Sequence, residues 1–548
     1  MRRIGWLAGL FALAVPAAGP GANFRLSDGL AVAGVYNTSG GNDAIVSLDG
    51  RWVFYRQDVD GIDAVELWRV ATVGGTPERV SGILPAGSNV FGIELVPDGS
   101  RIVFYSPQDD ADLAELYSHP VGAPAGSYVK VNSPLAPGSH LLTSGAFSPD
   151  SARTLYYSGP DTLGTDTAKL WVAELDGSSQ TPIVTLPLGR DFSRLTAPPD
   201  FAHALYVADA AVASRYELWS VPMAGGTPVK LNGALATGGD VSEIAASPAG
   251  GVAIYLADQQ VDGRRELYVV PVAGGAATKL NATLAAGREI SAAVFTPSGG
   301  RILYVESEIG TGTIREIWSV APDGSGRVAL LPAMTTGGAL AWIGLDDDYL
   351  LYVADQLVDE RYELFSVPLA GGAAVKLNPT LVTDGDVVFD QNAAPRVTPD
   401  GSRVVYAADQ SANGLENLYS VPIGGGTATP VGTAAVFGLT DIRGIAIASD
   451  SDRVAMVRWL NPLLPGATPS VHLWLASLQG GGWTRIDSCG ELCEVWPYWT
   501  FSPADPGQLF YLADQEVDGR FDLFRGDACL LCDGFDIGTT DRWSATSP

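Results

Sequence analysis

Positive charge, histidine and long apolar runs are all scarce in this sequence. Its 33 basic residues face 61 acidic ones, so the formal net charge at pH 7 is −28. Such an acidic surface repels phosphate backbones, and we therefore expect no nucleic-acid partner. Solubility explains the excess of acid most simply, with binding of cations or of a basic partner as the alternative. No segment reaches the ~20 apolar residues that a membrane-spanning helix needs, so we expect no membrane span.

Motifs of hydrolytic enzymes are also missing. The four histidines, His119, His140, His203 and His472, stand in unrelated contexts. The sequence has no His-Glu-x-x-His and no Gly-x-Ser-x-Gly, so we expect no catalytic triad. No helical periodicity is present, which excludes a glycine-rich phosphate loop at the start of a helix.

Cysteine is confined to the C-terminal part of the chain, at Cys489, Cys493, Cys529 and Cys532. An even number of cysteines in an exported protein predicts disulfides, and we expect pairing within each couple, with cross-pairing open. The C-x3-C and C-x2-C spacings also resemble a four-thiolate zinc site. An oxidising compartment disfavours free thiolates, which makes zinc the weaker alternative.

The N-terminus has the pattern of a secretory signal peptide. Arg2 and Arg3 precede a short apolar run and then small residues, and cleavage is expected between Ala17 and Ala22. We therefore predict that residues 1–22 are a signal peptide and that the protein is exported, to the periplasm or the extracellular space. No cysteine lies near that site, so a lipoprotein anchor is not indicated.

A repeated unit of about 50 residues organises the rest of the chain. Its clearest copies begin Tyr-x-Ala-Asp-Gln at Tyr255, Tyr352 and Tyr511. A matching position recurs, with Met456 in one slot, at Tyr55, Tyr105, Tyr157, Tyr206, Tyr304 and Tyr406. Roughly ten such units fill the exported chain and leave no room for a separate catalytic domain.

Each unit is typical of four short antiparallel strands. A turn such as Pro97–Gly99 precedes a β-branched and aromatic strand such as Arg101–Tyr105. An Asp- and Gly-rich loop then leads to a third strand such as Glu217–Val221, and a Gly-Gly turn leads to a short fourth strand. This pattern predicts an all-β protein, a β-propeller of about ten four-stranded blades in a single ring, with two smaller rings as the alternative. The tryptophans expected in the core between blades are Trp68, Trp171, Trp219 and Trp318.

The two ends of the chain complement each other. Residues 23–30 align with a fourth strand and its connection, Val229–Leu235, whereas the last unit ends at its third strand, Phe521–Phe524. We therefore predict that the propeller occupies residues 23–525 and that a strand within residues 23–30 completes the last blade and closes the ring. Residues 526–548 form a cysteine-containing tail.

The units resemble those of the TolB-type, WD40-like propellers of exported bacterial proteins. The resemblance rests on the Ser-Pro-Asp-Gly-like turn, the aromatic strand, the Asp/Gly loop, the Glu-Leu-Trp strand and the Gly-Gly turn, and it covers nearly all of residues 23–525. It implies the fold but no activity, because such repeats occur in binding proteins and beside hydrolases. The tail Cys532–Trp543 is similar to a short Asp-Gly-Phe-Glu-x-Gly…Trp ending of exported Gram-negative proteins.

The repeated loop contains a candidate cation site, because calcium takes six to eight oxygen ligands. The candidate calcium ligands are the carboxylate pairs Asp258 and Asp262, Asp355 and Asp359, and Asp514 and Asp518. The loop lacks the EF-hand ligand pattern. Aspartate is also what a hairpin loop needs to bond its own backbone N–H groups, so we expect the first aspartate to cap the turn. No cofactor other than this possible Ca²⁺ is expected.

These patterns predict an exported, non-enzymatic monomer that binds a protein or a cell-envelope component as an interaction scaffold. A propeller lyase or hydrolase with its site at the channel mouth is the alternative, and a calcium-stabilised structural surface protein is a third. Histidine, arginine and acids clustered at the channel mouth would favour the enzyme, and an uncharged or merely acidic channel the scaffold. A localised site is expected where the repeat breaks down, in blade nine, the Cys489–Cys493 loop and the tail.

Overall fold

The computed structural model describes residues 23–26, 44–57, 64–135, 138–161, 166–332, 338–390, 392–432, 440–460, 470–487, 495–504, 508–513 and 522–527. All regular secondary structure in these segments is β-strand. They contain no helix that could cross a membrane.

Forty strands form ten antiparallel sheets of four strands, the blades. Strand β1 (Asn23–Arg25) belongs to the last blade. Blade 1 has β2 (Ala44–Val46), β3 (Trp52–Gln57), β4 (Glu66–Ala71) and β5 (Glu78–Arg79); blade 2 has β6 (Ile93–Leu95), β7 (Arg101–Ser106), β8 (Glu115–Pro120) and β9 (Val129–Lys130). Blade 3 has β10 (Ser139–Phe147), β11 (Arg153–Pro160), β12 (Lys169–Glu174) and β13 (Gln180–Thr185); blade 4 has β14 (Phe192–Thr196), β15 (His203–Ala208), β16 (Glu217–Pro222) and β17 (Val229–Lys230). Blade 5 has β18 (Val241–Ala246), β19 (Val252–Ala257), β20 (Glu266–Pro271) and β21 (Thr278–Lys279); blade 6 has β22 (Arg288–Phe295), β23 (Ile302–Glu308), β24 (Ile314–Val320) and β25 (Val328–Ala329). Blade 7 has β26 (Leu340–Leu345), β27 (Tyr349–Ala354), β28 (Glu363–Pro368) and β29 (Val375–Lys376); blade 8 has β30 (Arg396–Val397), β31 (Arg403–Ala408), β32 (Asn417–Pro422) and β33 (Thr429–Pro430). Blade 9 has β34 (Thr440–Ile447), β35 (Arg453–Leu460), β36 (Ser470–Ser477) and β37 (Thr484–Arg485); blade 10 has β38 (Val495–Phe501), β39 (Gln508–Ala513), β40 (Asp522–Asp527) and β1.

The blades form one ring around a central channel. First strands of neighbouring blades contact each other, for example β10 with β14 and β34 with β38, so the first strands surround the channel and the fourth strands lie outside. Strand β2 of blade 1 also contacts β38 of blade 10. The prediction of a single ring of about ten blades is confirmed, and the two-ring alternative is wrong. The count exceeds the usual four to eight blades.

The N-terminal strand closes the ring. Strand β1 pairs with β40, the third strand of the last blade, in the register Phe24↔Arg525 and Arg25↔Phe524. The N–H of Leu26 donates to the carbonyl of Leu523 (2.8 Å), and Leu26 is fully buried. The last blade thus gains a fourth strand from the start of the chain, and this strand covers the edge of β40 that would otherwise be unpaired.

Several blades contain a buried pair of aromatic side chains. The central aromatic residue of the second strand stacks on one from the third strand, as in Tyr255 on Tyr268 (ring centroids 5.2 Å apart). In blades 2 and 3 that central residue is Phe104 and Tyr156, not the next residue, Tyr105 or Tyr157, that the sequence spacing selected. The predicted tryptophans pack against clusters between neighbouring blades; they are Trp68, Trp171, Trp219 and Trp318.

A buried ion pair joins the third and fourth strands in five blades. Lys230 and Glu217 lie 3.0 Å apart, and the glutamate is almost fully buried. The equivalent pairs are Arg79–Glu66, Lys130–Glu115, Lys279–Glu266 and Lys376–Glu363. In blade 9 the charges are rearranged, because His472 replaces the glutamate. The buried Asp487 is hydrogen-bonded to the ring of His472, and it accepts from the N–H of Leu473 and from Arg485. The glutamate of the third strand and the lysine or arginine of the fourth strand therefore serve to hold these two strands together.

Candidate functional site

One end of the ring, which we call the aspartate face, carries the loops between second and third strands. Asp258 lies there, and its two carboxylate oxygens accept hydrogen bonds from the N–H groups of Asp240 (2.5 Å) and Gly263 (2.8 Å). Asp240 directly precedes the inner strand β18, so the inner strands begin at this face. Gly263 has a positive φ of 71°, a conformation that glycine adopts without strain. The same double hydrogen bonding recurs at Asp209, Asp355 and Asp409.

These contacts identify the first loop aspartate as a turn-stabilising residue. Of the calcium candidates, Asp258 and Asp355 use both oxygens on backbone N–H groups, whereas Asp262 and Asp359 lie exposed at the loop tips. Asp514 and Asp518 lie outside the described residues, as do Cys489, Cys493, Cys529 and Cys532. No group of three potential metal ligands was found in the described segments. Calcium, zinc and the disulfides stay predictions.

Charges of both signs line the channel mouth at the aspartate face. Arg194 on β14 donates two hydrogen bonds to Glu243 on β18 (3.1 and 3.4 Å), which joins the inner strands of blades 4 and 5. Arg265 makes a similar two-point contact with Glu289 on β22 (2.8 and 2.9 Å). On β34 the guanidinium of Arg443 lies over the ring of Trp459 (5.2 Å). The mouth is therefore neither uncharged nor merely acidic.

Two further charged groups lie deeper along the inner strands. Glu94 pairs with Val103 and Arg396 pairs with Val405, each partner being the third residue of its second strand. Glu94 and Arg396 therefore lie at one height, in blades 2 and 8. Arg194 pairs with Val207, the fifth residue of its second strand, so it lies two residues, or roughly 7 Å, nearer the aspartate face.

Glu94 is a perturbed titratable group on an inner strand. Its side chain is exposed, yet desolvation by the surrounding protein raises the pKa of its carboxyl to about 7. Beside it lies a small cavity of about 70 Å³ between blades 2 and 3, lined by Tyr105, Phe147 and Thr154. A carboxyl with this pKa exchanges protons readily at neutral pH.

A second perturbed carboxyl, Glu416 of blade 8, lies where blade 8 meets the irregular blade 9. Burial, with Asp441 and Asp409 adding to it, raises the pKa of Glu416 to about 7, although the N–H of Ile442 donates to it (2.5 Å). Arg458 is fully buried, stands where the regular blades have alanine, and donates to the carbonyl of Glu416 (2.7 Å). Burial lowers the pKa of Arg458 to about 10. This break in the repeat is thus a buried polar junction between blades 8 and 9.

The histidines do not form a catalytic array. His119 contacts the carbonyl of Pro124, His140 contacts Asp161 and His472 contacts Asp487. No described histidine has a hydrogen bond to a serine or threonine hydroxyl.

Solved structures with related folds exist, whereas no family model and no curated protein matches the sequence. Dipeptidyl peptidase 4 from Porphyromonas gingivalis is 10% identical with a TM-score of 0.45; the match covers 72% of this chain and 59% of the peptidase. Oligogalacturonate lyase from Vibrio parahaemolyticus is 12% identical with a TM-score of 0.34, over 70% of this chain and 98% of the lyase. A TolB protein from Agrobacterium tumefaciens is 16% identical with a TM-score of 0.24, over 46% of this chain and 83% of that one. These likenesses concern the fold alone, and the chain spans about three fifths of the peptidase.

The prediction of a non-enzymatic scaffold is wrong, and with it the prediction that the chain is not an enzyme. Enzymes are among the structures with a similar fold, namely tricorn protease, a puromycin-hydrolysing peptidase and lyases. The channel mouth also has the arginines beside acids that favour the enzyme alternative. Sequence reasoning missed these ion pairs because each includes a residue of an inner strand, where the repeat is least regular. The resemblance is confirmed only as a propeller with a TolB protein among its structural neighbours; membership of the TolB-type repeat family and the C-terminal ending stay predictions.

Proposed function

We propose that the chain is a hydrolase or lyase whose reaction takes place in the central channel, entered at the aspartate face. The observation that supports this best is Glu94, a carboxyl inside the channel with a pKa near neutrality. A carboxyl whose pKa matches the working pH can accept and donate a proton in one catalytic cycle. Buried carboxyls at ordinary structural positions, such as Glu266, are instead paired with a cation.

The other channel charges have complementary roles in this proposal. Arg396, at the height of Glu94, supplies positive charge to an oxyanion that develops during the reaction. At the channel mouth, Arg194 presents hydrogen-bond donors and Glu243 presents acceptors, and together they orient the substrate. The net charge of −28 attracts cations, so neutral or cationic substrates are favoured over anionic ones.

An activity screen of the exported protein tests the proposal. Peptides and oligosaccharides of positive, zero and negative charge are incubated with it, and new amines, new reducing ends and the ultraviolet absorbance of unsaturated products are measured. Glu94→Gln should lower turnover about 10²- to 10⁴-fold, the usual contribution of general acid–base catalysis. The control is Asp323→Asn, because Asp323 is exposed in a hairpin on the opposite face and the amide can still accept the N–H of Ser325.

No turnover in any class, or turnover that Glu94→Gln leaves unchanged, would refute the proposal. Turnover that Asp323→Asn lowers equally would also count against it, because the loss would then reflect stability. Export to the periplasm or the extracellular space, a monomeric state and membership of the TolB-type repeat family are part of the same proposal. The resemblance of the repeats and the signal-like N-terminus support them.

A further inference from the structure

Blade 3 departs from the other blades in its outer strands. Lys169 on β12 occupies the position that holds the buried glutamate in the five ion-paired blades, directly before the leucine of the motif. The residue opposite Trp171 is Pro182, where blade 4 has Lys230 opposite Trp219. The charge is thus inverted, and Lys169 has no salt-bridge partner among the described residues.

A second substitution opens space beside Lys169. In blades 5, 7 and 8 the hydroxyl of the central tyrosine donates to a loop glutamine four residues later, as Tyr255 does to Gln259 (3.0 Å). The fourth residue after Tyr156 is instead Pro160, and Gln180 from β13 accepts from Tyr156 (2.6 Å) and from the N–H of Ser133 (2.7 Å). The loop side is left with a cavity of about 160 Å³.

The wall of this cavity carries opposite charges that do not pair with each other. Lys169 and Asp166 both line it, and no salt bridge joins them. One oxygen of Asp166 accepts the N–H of Thr167 (2.7 Å), and no hydrogen bond occupies the other. An ammonium and a carboxylate that share a cavity without contact match a molecule that carries both charges.

The rest of the wall combines the apolar surface of Trp171 and Leu135 with hydroxyl-bearing side chains, which are Ser133, Ser139, Ser158 and Thr167. The indole of Trp171 donates to Ser158 (3.0 Å) and stacks nearly parallel on Tyr156 (6.2 Å between centroids). Leu135 lies beside it in the lining. Because the indole is fixed on two sides, an apolar ligand group packs against it without an ordering cost in the protein.

We propose that this cavity binds a free α-amino acid with an apolar side chain. Lys169 receives the carboxylate, Asp166 receives the ammonium, and Trp171 with Leu135 contacts the side chain. The volume is below the roughly 300 Å³ at which pockets for drug-sized ligands begin, so it suits a molecule of amino-acid size. A zwitterion also has no net charge, whereas the field of a protein with charge −28 opposes a simple anion.

Calorimetric titration of the exported protein with three probes tests this inference. L-leucine carries both charges, L-leucine methyl ester lacks the carboxylate, and N-acetyl-L-leucine lacks the ammonium. Leucine should bind at least tenfold more tightly than either derivative, in line with the cost of losing a charged hydrogen bond. Lys169→Gln should remove the preference over the methyl ester, and Asp166→Asn the preference over the N-acetyl compound.

Two further variants keep the test decisive. Lys169→Met keeps an unbranched side chain and introduces no unpaired charge, so it should keep the melting midpoint and lose the preference for leucine over its methyl ester. Arg51→Gln removes a cation that is 80% exposed in blade 1, and it should leave binding unchanged. Absence of leucine binding to the parent protein, equal binding of all three probes, or full binding to Lys169→Gln would overturn the proposal.

Discussion

Replacing Leu26 by alanine tests the closure of the ring. Leu26 is fully buried in a cluster with Val46, Tyr55 and Phe510, which joins blades 10 and 1. Removal of its buried carbons costs about 2–3 kcal/mol in transfer free energy, at ~0.8 kcal/mol per methylene. The alanine variant also leaves a cavity, which adds to this cost. We therefore expect the free energy of unfolding to fall by about 2–5 kcal/mol.

Leu231 provides a matched control, because it occupies the equivalent place after the fourth strand of blade 4. Its N–H donates to Leu218 (2.8 Å) as that of Leu26 donates to Leu523 (2.8 Å), and its exposure is 2%. Leu26→Ala and Leu231→Ala should therefore be equally destabilising, although Leu26 lies in the first described segment of the chain. Deletion of residues 23–26 should cost more than Leu26→Ala, since the ladder with β40 is lost as well, at about 0.5–1.5 kcal/mol per hydrogen bond.

Urea denaturation of the exported protein, followed by tryptophan fluorescence, measures these differences. A loss below about 1 kcal/mol for both Leu26→Ala and the deletion would refute the reasoning, because it is the response of a frayed terminus. A full loss for Leu231→Ala in the same assay shows that the method detects such a change.

Three further predictions concern the charged groups. Lys376→Met should destabilise the protein by about 3–5 kcal/mol in urea, because it leaves the buried Glu363 without its cation, and the additional change Glu363→Leu should recover most of the loss. Burial raises the pKa of Asp487, but hydrogen bonds from His472 and a neighbouring arginine outweigh it and hold the pKa below its ordinary value. Its stabilising contribution is therefore present above the unfolded pKa and lost as pH falls through the folded one, so Asp487→Asn should lose less stability than the parent on acidification. Neither Ca²⁺ nor a chelator should shift the melting midpoint, since backbone N–H groups occupy both oxygens of the loop aspartates; a midpoint that rises with Ca²⁺ would assign them as a calcium site.

The ring could be predicted from the sequence because its determinants repeat. Stacked aromatic residues, Gly-Gly turns and the Glu–Lys pair recur in successive units at equal spacing, and each copy strengthens the assignment of the others. The closing strand was also predictable, because residues 23–30 resemble a fourth strand that the last unit lacks. The one-residue error at Tyr105 and Tyr157 arose where two aromatic residues are adjacent and only packing decides which one is central.

The channel could not be predicted in the same way. Arg194 and Glu243 lie on inner strands whose residues differ from blade to blade, and their contact depends on how blades 4 and 5 meet. The pKa of Glu94 depends on desolvation in the folded ring, which no local pattern encodes. The inversion at Lys169 was visible as a lysine in place of the motif's glutamate, but its cavity follows from Pro160 and Gln180 together.

The pH dependence of kcat/KM, measured on a substrate from the activity screen, tests the central claim most directly. Burial raises the pKa of Glu94 to about 7, so the parent protein should show an ionisation near pH 7 in this profile. Glu94→Gln should remove that ionisation, so that a low residual kcat/KM stays independent of pH around neutrality. A profile with the same ionisation in parent and Glu94→Gln would contradict the assignment of the reaction to the channel.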